Sequence, residues 1–348
     1  MDIGYDVSLA GMNTFGMKVN TRCLVEYDSV AELMSLDPGS LPAPMFHIGG
    51  GSNLLFTGDF PGTILHSRIR DMEPYRMQEY MLLKVGSGVL WDDLCAWAAD
   101  HDLWGTENLS LIPGEVGAAA VQNIGAYGVE ASDVVDSVDC FDLSSRSMVT
   151  FAAADCGYGY RTSNFKTIWK GRYIVTSVNI RFSKEYHPVT GYGNVLSALV
   201  DRYGEYVVNQ GGLTPSMLRE TVKSIRESKL PDPSVTGSAG SFFRNPVVPR
   251  EEYEAIAGSS IVPVPHYDMG DKVKIPAGWL IEQCGWKGCV RGNVGVCPTQ
   301  ALVIVNVTGK ALPREVLELE ADIRSSVLER FGISLSAEVE HVGENDLQ

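Results

Sequence analysis

The feature that most constrains the fold is a long stretch that is poor in charge and rich in glycine and alanine. It runs from Gly105 to Gly128 and includes Gly114, Gly117 and Gly125. Ordering such a stretch costs conformational entropy and buries little side chain in return. That cost is understandable if the backbone packs against a large flat ligand and offers N–H groups to phosphates and ring carbonyls. The alternative interpretation is a close-packed turn and helix.

A second glycine-rich segment comes earlier, with the sequence Gly49-Gly50-Gly51-Ser52-Asn53. Glycines let backbone N–H groups turn inward and approach an anion closely, and the Ser and Asn add side-chain donors. An ordinary tight turn is the alternative here. Neither segment is a G-x-G-x-x-G or a G-x-x-x-x-G-K-[ST], so we expect neither a Rossmann nor a P-loop domain.

Composition narrows the class of protein and its partners. The chain has 348 residues, of which 45% are hydrophobic and 20% charged, enough for two or three domains with sizeable cores. A net charge of −15 disfavours nonspecific binding to nucleic acid and to anionic membranes. Seven cysteines without a C-x-x-C pair indicate free thiols in a reducing compartment. With no signal-peptide pattern and no membrane-length apolar run, the sequence predicts a cytoplasmic protein.

Apolar spacing predicts both helices and strands. Helices are expected from Ser29 as cap with Val30, Leu33 and Met34 on one face, around residues 90–98 and 218–225, and from Pro313 onward. Strands are expected over residues 81–85, 173–182 and 301–307. The strands often cluster rather than alternate strictly with helices, which favours an α+β class over a doubly wound sheet.

Several further motifs follow one another in a recognisable order. They are residues 13–16 (Asn-Thr-Phe-Gly), Gly159-Tyr160-Arg161, Lys229-Leu230-Pro231-Asp232-Pro233, Ala239-Gly240-Ser241-Phe242-Phe243, Ala277-Gly278-Trp279-Leu280-Ile281 and Gln300-Ala301-Leu302-Val303. Together with the two glycine-rich segments they cover nearly the whole chain. This set resembles the UDP-N-acetylenolpyruvoylglucosamine reductase family of bacterial peptidoglycan synthesis, also called the UDP-N-acetylmuramate dehydrogenases.

The resemblance implies an α+β fold with three domains. Noncovalent FAD would be held by two α+β subdomains of the type found in vanillyl-alcohol oxidase, and a third α+β domain would bind the UDP-sugar. We expect the first subdomain at residues 1–70, the second at 71–218 with completion by 332–348, and the third at 219–331. The family takes two electrons from NADPH as co-substrate and reduces an enolpyruvyl ether to a lactyl ether. The expected partners are therefore small molecules, and a monomer is expected.

The same resemblance assigns both glycine-rich segments to FAD. The implied flavin-binding residues are Gly49, Gly50, Gly51, Ser52, Asn53, Leu54, Ser110, Ile112, Pro113, Gly114, Gly117, Ala118, Gln122, Asn123, Gly125, Ala126, Tyr127 and Gly128. His47 precedes the first segment. A histidine there carries a covalent flavin in some oxidases of this fold, but the reductase family does not use such a link.

Three residues match the family's catalytic set. Hydride addition to a vinyl carbon leaves negative charge beside a carboxylate, and a proton must then reach the next carbon. The resemblance makes Ser241 the proton donor, and it makes Arg161 and Glu338 the groups that polarise the carboxylate. The segment before Glu338 departs from the family, which often has Glu-Pro where this chain has Ser336-Ala337. Glu340, two residues on, is therefore the rival assignment.

Family positions around the UDP-sugar correspond to a further set of residues. They are Tyr160, Tyr192, Lys229, Asn245, Tyr267, Lys287 and Gln300. Tyr192 lies between Gly191 and Gly193, which resembles the subclass with an inserted loop whose tyrosine closes over substrate. The alternative for this segment is an ordinary mobile surface loop. No cysteine spacing indicates zinc, and no metal is expected.

Two other functions remain possible at this level. One is an FAD-dependent oxidase of the same fold that passes electrons to oxygen. The other is a noncatalytic module that binds flavin or a nucleotide sugar. Ser241, Arg161 and Glu338 in matching contexts disfavour both, because neither function needs a proton donor and a carboxylate-binding pair.

Overall fold

A computed structural model describes residues 1–343, and these residues form two compact units. Unit 1 comprises residues 1–7, 21–50 and 61–228, and unit 2 comprises residues 8–20, 51–60 and the chain from 229 onward. Each unit is therefore assembled from segments that are distant in sequence. The three-domain division stays a prediction, and residues 344–348 of its C-terminal segment lie outside the described residues.

Twenty strands and nine α-helices are assigned within the described part of the chain. The strands are β1 (Asp2–Ser8), β2 (Asn20–Tyr27), β3 (Met45–Ile48), β4 (Leu54–Phe56), β5 (Phe60–Ser67), β6 (Met72–Arg76), β7 (Tyr80–Gly86), β8 (Gly125–Ala126), β9 (Val129–Glu130), β10 (Val135–Asp142), β11 (Ser147–Ala152), β12 (Tyr173–Ser183), β13 (Gly237–Ser241), β14 (Val247–Pro249), β15 (Tyr267–Met269), β16 (Lys272–Lys274), β17 (Val290–Arg291), β18 (Val294–Val296), β19 (Val303–Asn306) and β20 (Glu340–Val342). The helices are α1 (Val30–Ser35), α2 (Trp91–Asp100), α3 (Val116–Gln122), α4 (Val195–Tyr203), α5 (Glu205–Asn209), α6 (Pro215–Lys229), α7 (Arg250–Ser259), α8 (Ala277–Gln283) and α9 (Pro313–Phe331).

Unit 1 is built on two sheets. The first has the strand order β1-β2-β5-β3, and the second has the order β11-β10-β12-β7-β6 with antiparallel pairing throughout. On β12, Val178, Ile180 and Phe182 alternate with polar residues and are fully buried, as their spacing predicts. They join a core that includes residues of α2 and α3, such as Leu94 and Val116. This core fixes α3, which belongs to the long glycine-rich stretch, against the second sheet.

Unit 2 contains a four-stranded sheet of order β13-β19-β18-β17 and a small sheet of order β14-β16-β15. A separate parallel pair joins β20 to β4. Helix α9 begins with Pro313 in its first turn, and its spacing predicts a buried face of Leu319, Ile323, Val327 and Phe331. The first three are buried, whereas Phe331, at the end of the helix, is only half-buried. The β20–β4 pair carries the end of the chain back to the residues that follow the first glycine-rich segment.

Most predicted elements are present, with two corrections at the level of single side chains. Ser29 caps α1 by accepting a hydrogen bond from the Glu32 N–H at 3.2 Å, as expected. Met34, however, is 44% exposed, because a six-residue helix buries only the narrow face around Leu33. The strand expected over 301–307 is shorter, and Val307 beyond its end is exposed. Clustered, largely antiparallel strands beside segregated helices confirm the α+β class.

Candidate functional site

The two glycine-rich segments meet inside unit 1, where no side chain fits between them. A Cβ atom added to Gly49 would lie 2.9 Å from the Cβ of Ala118, closer than real Cβ contacts come. A Cβ on Gly50 would lie 3.5 Å from the Cα of Gly114. Gly49 is thus required by the close approach of the two segments, whereas a Cβ on Gly50 would make an ordinary van der Waals contact.

Helix α3 is held just as closely at its start. A Cβ on Gly117 would lie 2.7 Å from the Cβ of Ser87. At the other end Asn123 adopts the left-handed conformation, with φ of 50°. Its side chain donates to the Glu130 carboxylate at 2.8 Å and to the Gly159 carbonyl at 2.9 Å. Both ends of this short helix are therefore fixed by contacts outside it.

The turn that precedes α3 contains two strained residues and a buried hydroxyl. Leu111 has φ of +59° and Gly114 has φ of +123°. Asp92 on α2 supports the turn by accepting a hydrogen bond from the Leu111 N–H at 2.6 Å, and Ile112 and Pro113 complete it. The Ser110 hydroxyl is fully buried and has no hydrogen-bond partner among residues 1–343. A buried polar group without a partner costs free energy, so this hydroxyl indicates a ligand position.

Arg161 lies against the second half of the same stretch. Its guanidinium donates to the Asn123 carbonyl at 3.4 Å and also to the Gly125 carbonyl. Its own backbone is left-handed, with φ of +54°, and the Tyr160 ring lies 5.4 Å from the guanidinium carbon. The structure thus brings Arg161 to Gly125-Ala126, which form β8. The Gln122 side chain beside this region accepts from Lys166, whereas its Nε2 is buried and has no partner in the described chain.

Tyr192 lies over the end of the stretch. A Cβ on Gly128 would lie 3.3 Å from the Cβ of Tyr192. Tyr127 and Gly128 both have positive φ, of 49° and 84°. Tyr192 itself is half exposed and sits in a segment without regular secondary structure.

In unit 2, the residues that follow Gly50 join the end of the described chain. Gly51 is left-handed, and a Cβ there would lie 2.0 Å from the Met12 carbonyl oxygen, so only glycine fits. The Asn53 side chain donates to the Glu338 carbonyl at 3.2 Å, and the Asn53 carbonyl accepts from the Glu340 N–H at 3.0 Å. Leu54 then begins β4 beside β20. Ser52 connects these two anchored positions.

Ser241 and Glu338 are neighbours in unit 2 although 97 residues separate them in sequence. The Glu338 N–H donates to the carbonyl of Phe242, the residue after Ser241, at 2.8 Å. Ser241 ends β13 at an irregularity in its pairing with β19, where Gly240 has φ of +72°. Bulges of this kind redirect side chains and are common beside active sites. Ser241 is half-buried, and the two phenylalanines that follow it, Phe242 and Phe243, are buried.

Backbone pairing also separates the two rival glutamates. Glu338 is hydrogen-bonded to the strand of Ser241, whereas Glu340 belongs to β20 and pairs with β4. The buried Val339 lies between them in the sequence. Of the two, Glu338 is the one that the chain brings to Ser241.

Three of the residues expected around the sugar meet at the start of α8. The Asn245 side chain accepts from the Ala277 N–H at 2.9 Å, and Gln300 Oε1 lies 3.2 Å from the position of a Cβ on Gly278. The carbonyl of Lys229 accepts from Thr299, which precedes Gln300. Lys287 instead forms an exposed ion pair with Glu282, farther along α8. The Lys274 ammonium lies 5.4 Å from the centre of the Tyr267 ring. Neither of these contacts involves Asn245 or Gln300.

Sequence reasoning missed several polar residues beside these segments. Glu115 begins α3 and its carboxylate is 2.9 Å from His66, a residue that carries no motif. Arg226 on α6 lies near Tyr127, and burial lowers the pKa of its guanidinium. Its Nε has no hydrogen-bond partner in the described residues. Glu115 directly follows Gly114, so its position in the stretch was the one available signal. Nothing in the sequence pairs it with His66.

Comparison with known proteins agrees with this geometry. The profile of an FAD binding domain matches residues 39–150, which contain both glycine-rich segments. The profile described as the C-terminal domain of UDP-N-acetylenolpyruvoylglucosamine reductase matches residues 232–342, which contain Ser241 and Glu338. FAD is therefore the cofactor of this chain, as the resemblance implied.

Relatives that match over nearly their full length are enzymes of the same name as the C-terminal profile. A UDP-N-acetylenolpyruvoylglucosamine reductase of Bacteroides fragilis is 45% identical, covering 96% of this chain and 98% of its own length. One of Porphyromonas gingivalis is 41% identical over 98% of this chain and all of its own length. The crystal structure of the enzyme from Thermus caldophilus aligns over 98% of both chains with a TM-score of 0.67 at 23% identity, which confirms the fold. The chain belongs to the UDP-N-acetylenolpyruvoylglucosamine reductase family.

Proposed function

We propose that this chain performs the family's reaction with Ser241, Arg161 and Glu338 as its catalytic residues. As a member of the family it is an FAD-dependent oxidoreductase of peptidoglycan precursor synthesis, with NADPH as co-substrate. It reduces the enolpyruvyl group of UDP-N-acetylglucosamine enolpyruvate and yields UDP-N-acetylmuramate. The observation that carries the assignment of residues is the hydrogen bond that holds Glu338 beside the Ser241 strand.

The residues of the glycine-rich segments fit FAD. Gly49 and Gly50 lie against Gly114, Glu115 and Ala118, and because they carry no side chains of their own their backbone N–H groups can approach an anion. The buried hydroxyl of Ser110 and the buried amide of Gln122 supply further donors that the described chain leaves unused. We assign the diphosphate to the first segment and the ring carbonyls to the second. When bound, FAD accepts two electrons from NADPH and delivers hydride to the vinyl CH2 carbon.

Ser241 supplies the proton in this proposal. Hydride addition breaks the C=C π bond, forms one C–H bond and leaves negative charge on the neighbouring carbon. The Ser241 hydroxyl then donates its proton to that carbon and forms the second C–H bond. A serine hydroxyl is a weak acid, so it acts only when positioned at the carbon in a site that excludes water. The pairing irregularity at Gly240 and the half-buried position of Ser241 support this role.

Arg161 and Glu338 stabilise the charge that develops. Arg161 is permanently cationic and can bind the substrate carboxylate through two N–H groups. Glu338, when protonated, donates a hydrogen bond to the enolic oxygen. Both act more strongly on the charged intermediate than on the substrate, which is the condition for catalysis.

We assign the UDP-sugar to Tyr160, Tyr192, Lys229, Asn245, Tyr267, Lys287 and Gln300. The cluster at the start of α8 supports this for three of them, and the cationic lysines complement a diphosphate on an otherwise acidic protein. Tyr192 would close over the sugar as in the subclass with the inserted loop.

We also propose that the protein acts as a cytoplasmic monomer that binds neither nucleic acid nor membranes. All seven cysteines are free thiols, which fits a reducing compartment. Among residues 1–343 no helix has both the length and the apolar character needed to cross a bilayer. Sedimentation velocity at several concentrations tests the monomer, and a mass that grows with concentration contradicts it.

An anaerobic absorbance experiment tests the function. The purified protein, loaded with FAD, receives NADPH first and UDP-N-acetylglucosamine enolpyruvate second. We expect the flavin absorbance near the visible maximum to bleach with NADPH and to return with the sugar, because the two half-reactions are separate. Colour that returns only when air is admitted would indicate an oxidase instead, and failure to bind FAD at all would reject both glycine-rich segments as its site.

A further inference from the structure

Unit 1 contains a buried charge cluster that the proposed mechanism does not use. His66 on β5 lies between two carboxylates, with Nε2 at 2.9 Å from Glu115 Oε1 and Nδ1 at 3.0 Å from Glu26 Oε1. The His66 and Glu115 side chains are 11% and 6% exposed. A neutral imidazole has one N–H, whereas only the protonated ring can donate to two carboxylates at once. The geometry therefore requires a charged His66.

Glu115 places a negative charge beside the first glycine-rich segment. Its Oε2 lies 3.3 Å from the position of a Cβ on Gly49, and its Cγ lies 3.8 Å from the same position on Gly50. A carboxylate so close to a loop that receives a diphosphate would repel it, since little water is present to screen the two charges. Some group must neutralise Glu115 if this loop is to bind an anion.

We propose that protonated His66 neutralises and orients Glu115, so that the Gly49-Gly50 loop can accept the FAD diphosphate. His66 is thus a positioning residue for the cofactor, acting through Glu115 without touching FAD. The inference rests on the proposed placement of FAD at this loop. It also predicts a pH dependence of cofactor binding, because the imidazole must keep its proton.

The groups around His66 support a single titration. Burial alone would lower the pKa of His66, but the hydrogen bonds and charges of Glu115 and Glu26 raise it above its ordinary value. Of the neighbouring groups, His47 stays neutral because burial lowers its pKa to about 3, and Tyr27 stays neutral because burial raises its pKa. Arg68, which lies 3.6 Å from Glu26, remains charged.

The sign of the effect follows from the raised pKa. At a pH below this pKa, His66 is charged, its charge neutralises that of Glu115, and FAD binds tightly. As the pH rises through it the proton is lost, one of the two hydrogen bonds fails and FAD affinity falls. Removal of the Glu115 charge should abolish this dependence.

Titration of the apoprotein with FAD, followed by flavin fluorescence from pH 6 to 9, tests the inference. For His66→Gln we expect a Kd at pH 7 raised about tenfold, the scale of one partly screened charge. The double variant with His66→Gln and Glu115→Gln should return within about twofold of the wild type, because no charge is left to compensate. Glu73→Gln, an exposed carboxylate on β6, controls for net charge.

The outcomes separate charge from packing. Equal weakening in His66→Gln and the double variant would overturn the inference, since lost packing is not rescued by removing a charge. If His66→Gln does not fold, Glu115→Gln decides alone: a flat pH profile supports charge compensation, and the wild-type slope overturns it. Gly49→Ala tests the FAD placement separately. Unchanged FAD affinity in Gly49→Ala would reject the placement, whereas weakened affinity there with a normal His66→Gln would reject only the role of His66.

Discussion

The candidate sites of the two units are built in different ways. In unit 1 the candidate cofactor site rests largely on main chain, with the side chains of Ser110 and Gln122 as further donors, and the two segments approach until no Cβ fits between Gly49 and Ala118. In unit 2 the candidate catalytic residues Ser241 and Glu338 act through side chains that one main-chain hydrogen bond brings together, whereas the third candidate, Arg161, belongs to unit 1. The first kind of site should fail when atoms are added, and the second when functional groups are removed. The difference can be tested one residue at a time.

The largest effect should come from removing the proton donor in unit 2. For Ser241→Ala we expect flavin reoxidation by substrate to slow about 1,000-fold, in the range for a lost general acid, while flavin reduction by NADPH stays nearly intact. Anaerobic stopped-flow absorbance measures the two half-reactions separately. Ser238→Ala, on the same strand, serves as the control. Equal losses in both half-reactions would show that Ser241 is not the specific donor.

A smaller effect should distinguish the two glutamates. Glu338→Gln should slow reoxidation about 100-fold, because a hydrogen bond that stabilises developing charge is weakened. Glu340→Gln should change it less than about threefold, since that residue pairs with β4 instead of the Ser241 strand. Steady-state kcat with both variants settles the order. The reverse ranking would transfer the role to Glu340.

Adding one methyl group should disturb unit 1 by steric conflict. Gly49→Ala should lower the free energy of unfolding by about 2 kcal/mol and weaken FAD binding, because the new Cβ meets Ala118 at 2.9 Å. Urea denaturation with and without FAD measures both effects. Gly258→Ala in α7 is the matched control, since nothing lies within 4 Å of its Cβ, and it should raise stability by about 0.5 kcal/mol. Equal results for the two alanines would remove the argument from close approach.

The smallest effect should belong to the half-exposed tyrosine above Gly128. Tyr192→Phe keeps the ring and removes one hydroxyl, so UDP-sugar affinity should fall only about fivefold, the size of one hydrogen bond. NADPH oxidation without substrate should be unaffected. Isothermal titration with the UDP-sugar measures the affinity, and an unchanged value would contradict loop closure by Tyr192.

The elements that sequence patterns predicted well are those with strong local signals. Alternation marked Val178, Ile180 and Phe182 as buried, and Pro313 marked the first turn of α9. The prediction that Met34 is buried was wrong. The length of a helix decides how wide a face it buries, and that length is only weakly encoded in the sequence. The glycine-rich segments were also evident, since only close backbone approach accounts for so many residues without side chains.

What the sequence could not supply is the pairing of residues far apart in the chain. Asn53 meets Glu338 across 285 positions through one hydrogen bond, which the Asn53 side-chain amide donates to the Glu338 carbonyl. His66 meets Glu115 across 49 positions through another contact that has no local pattern. Both contacts depend on which distant segments pack together in the fold, so they leave no mark in local composition or spacing.

The sequence by itself determined the α+β class, the two glycine-rich segments and, through the order of its motifs, the family. Only the tertiary structure decided that Glu338 rather than Glu340 lies beside the Ser241 strand, and that His66 contacts Glu115 next to the first glycine-rich segment. The physical reason is the same in both cases. Periodicity and turn chemistry are local properties of a chain, whereas strand partners and buried charge pairs depend on which surfaces pack together when the chain folds.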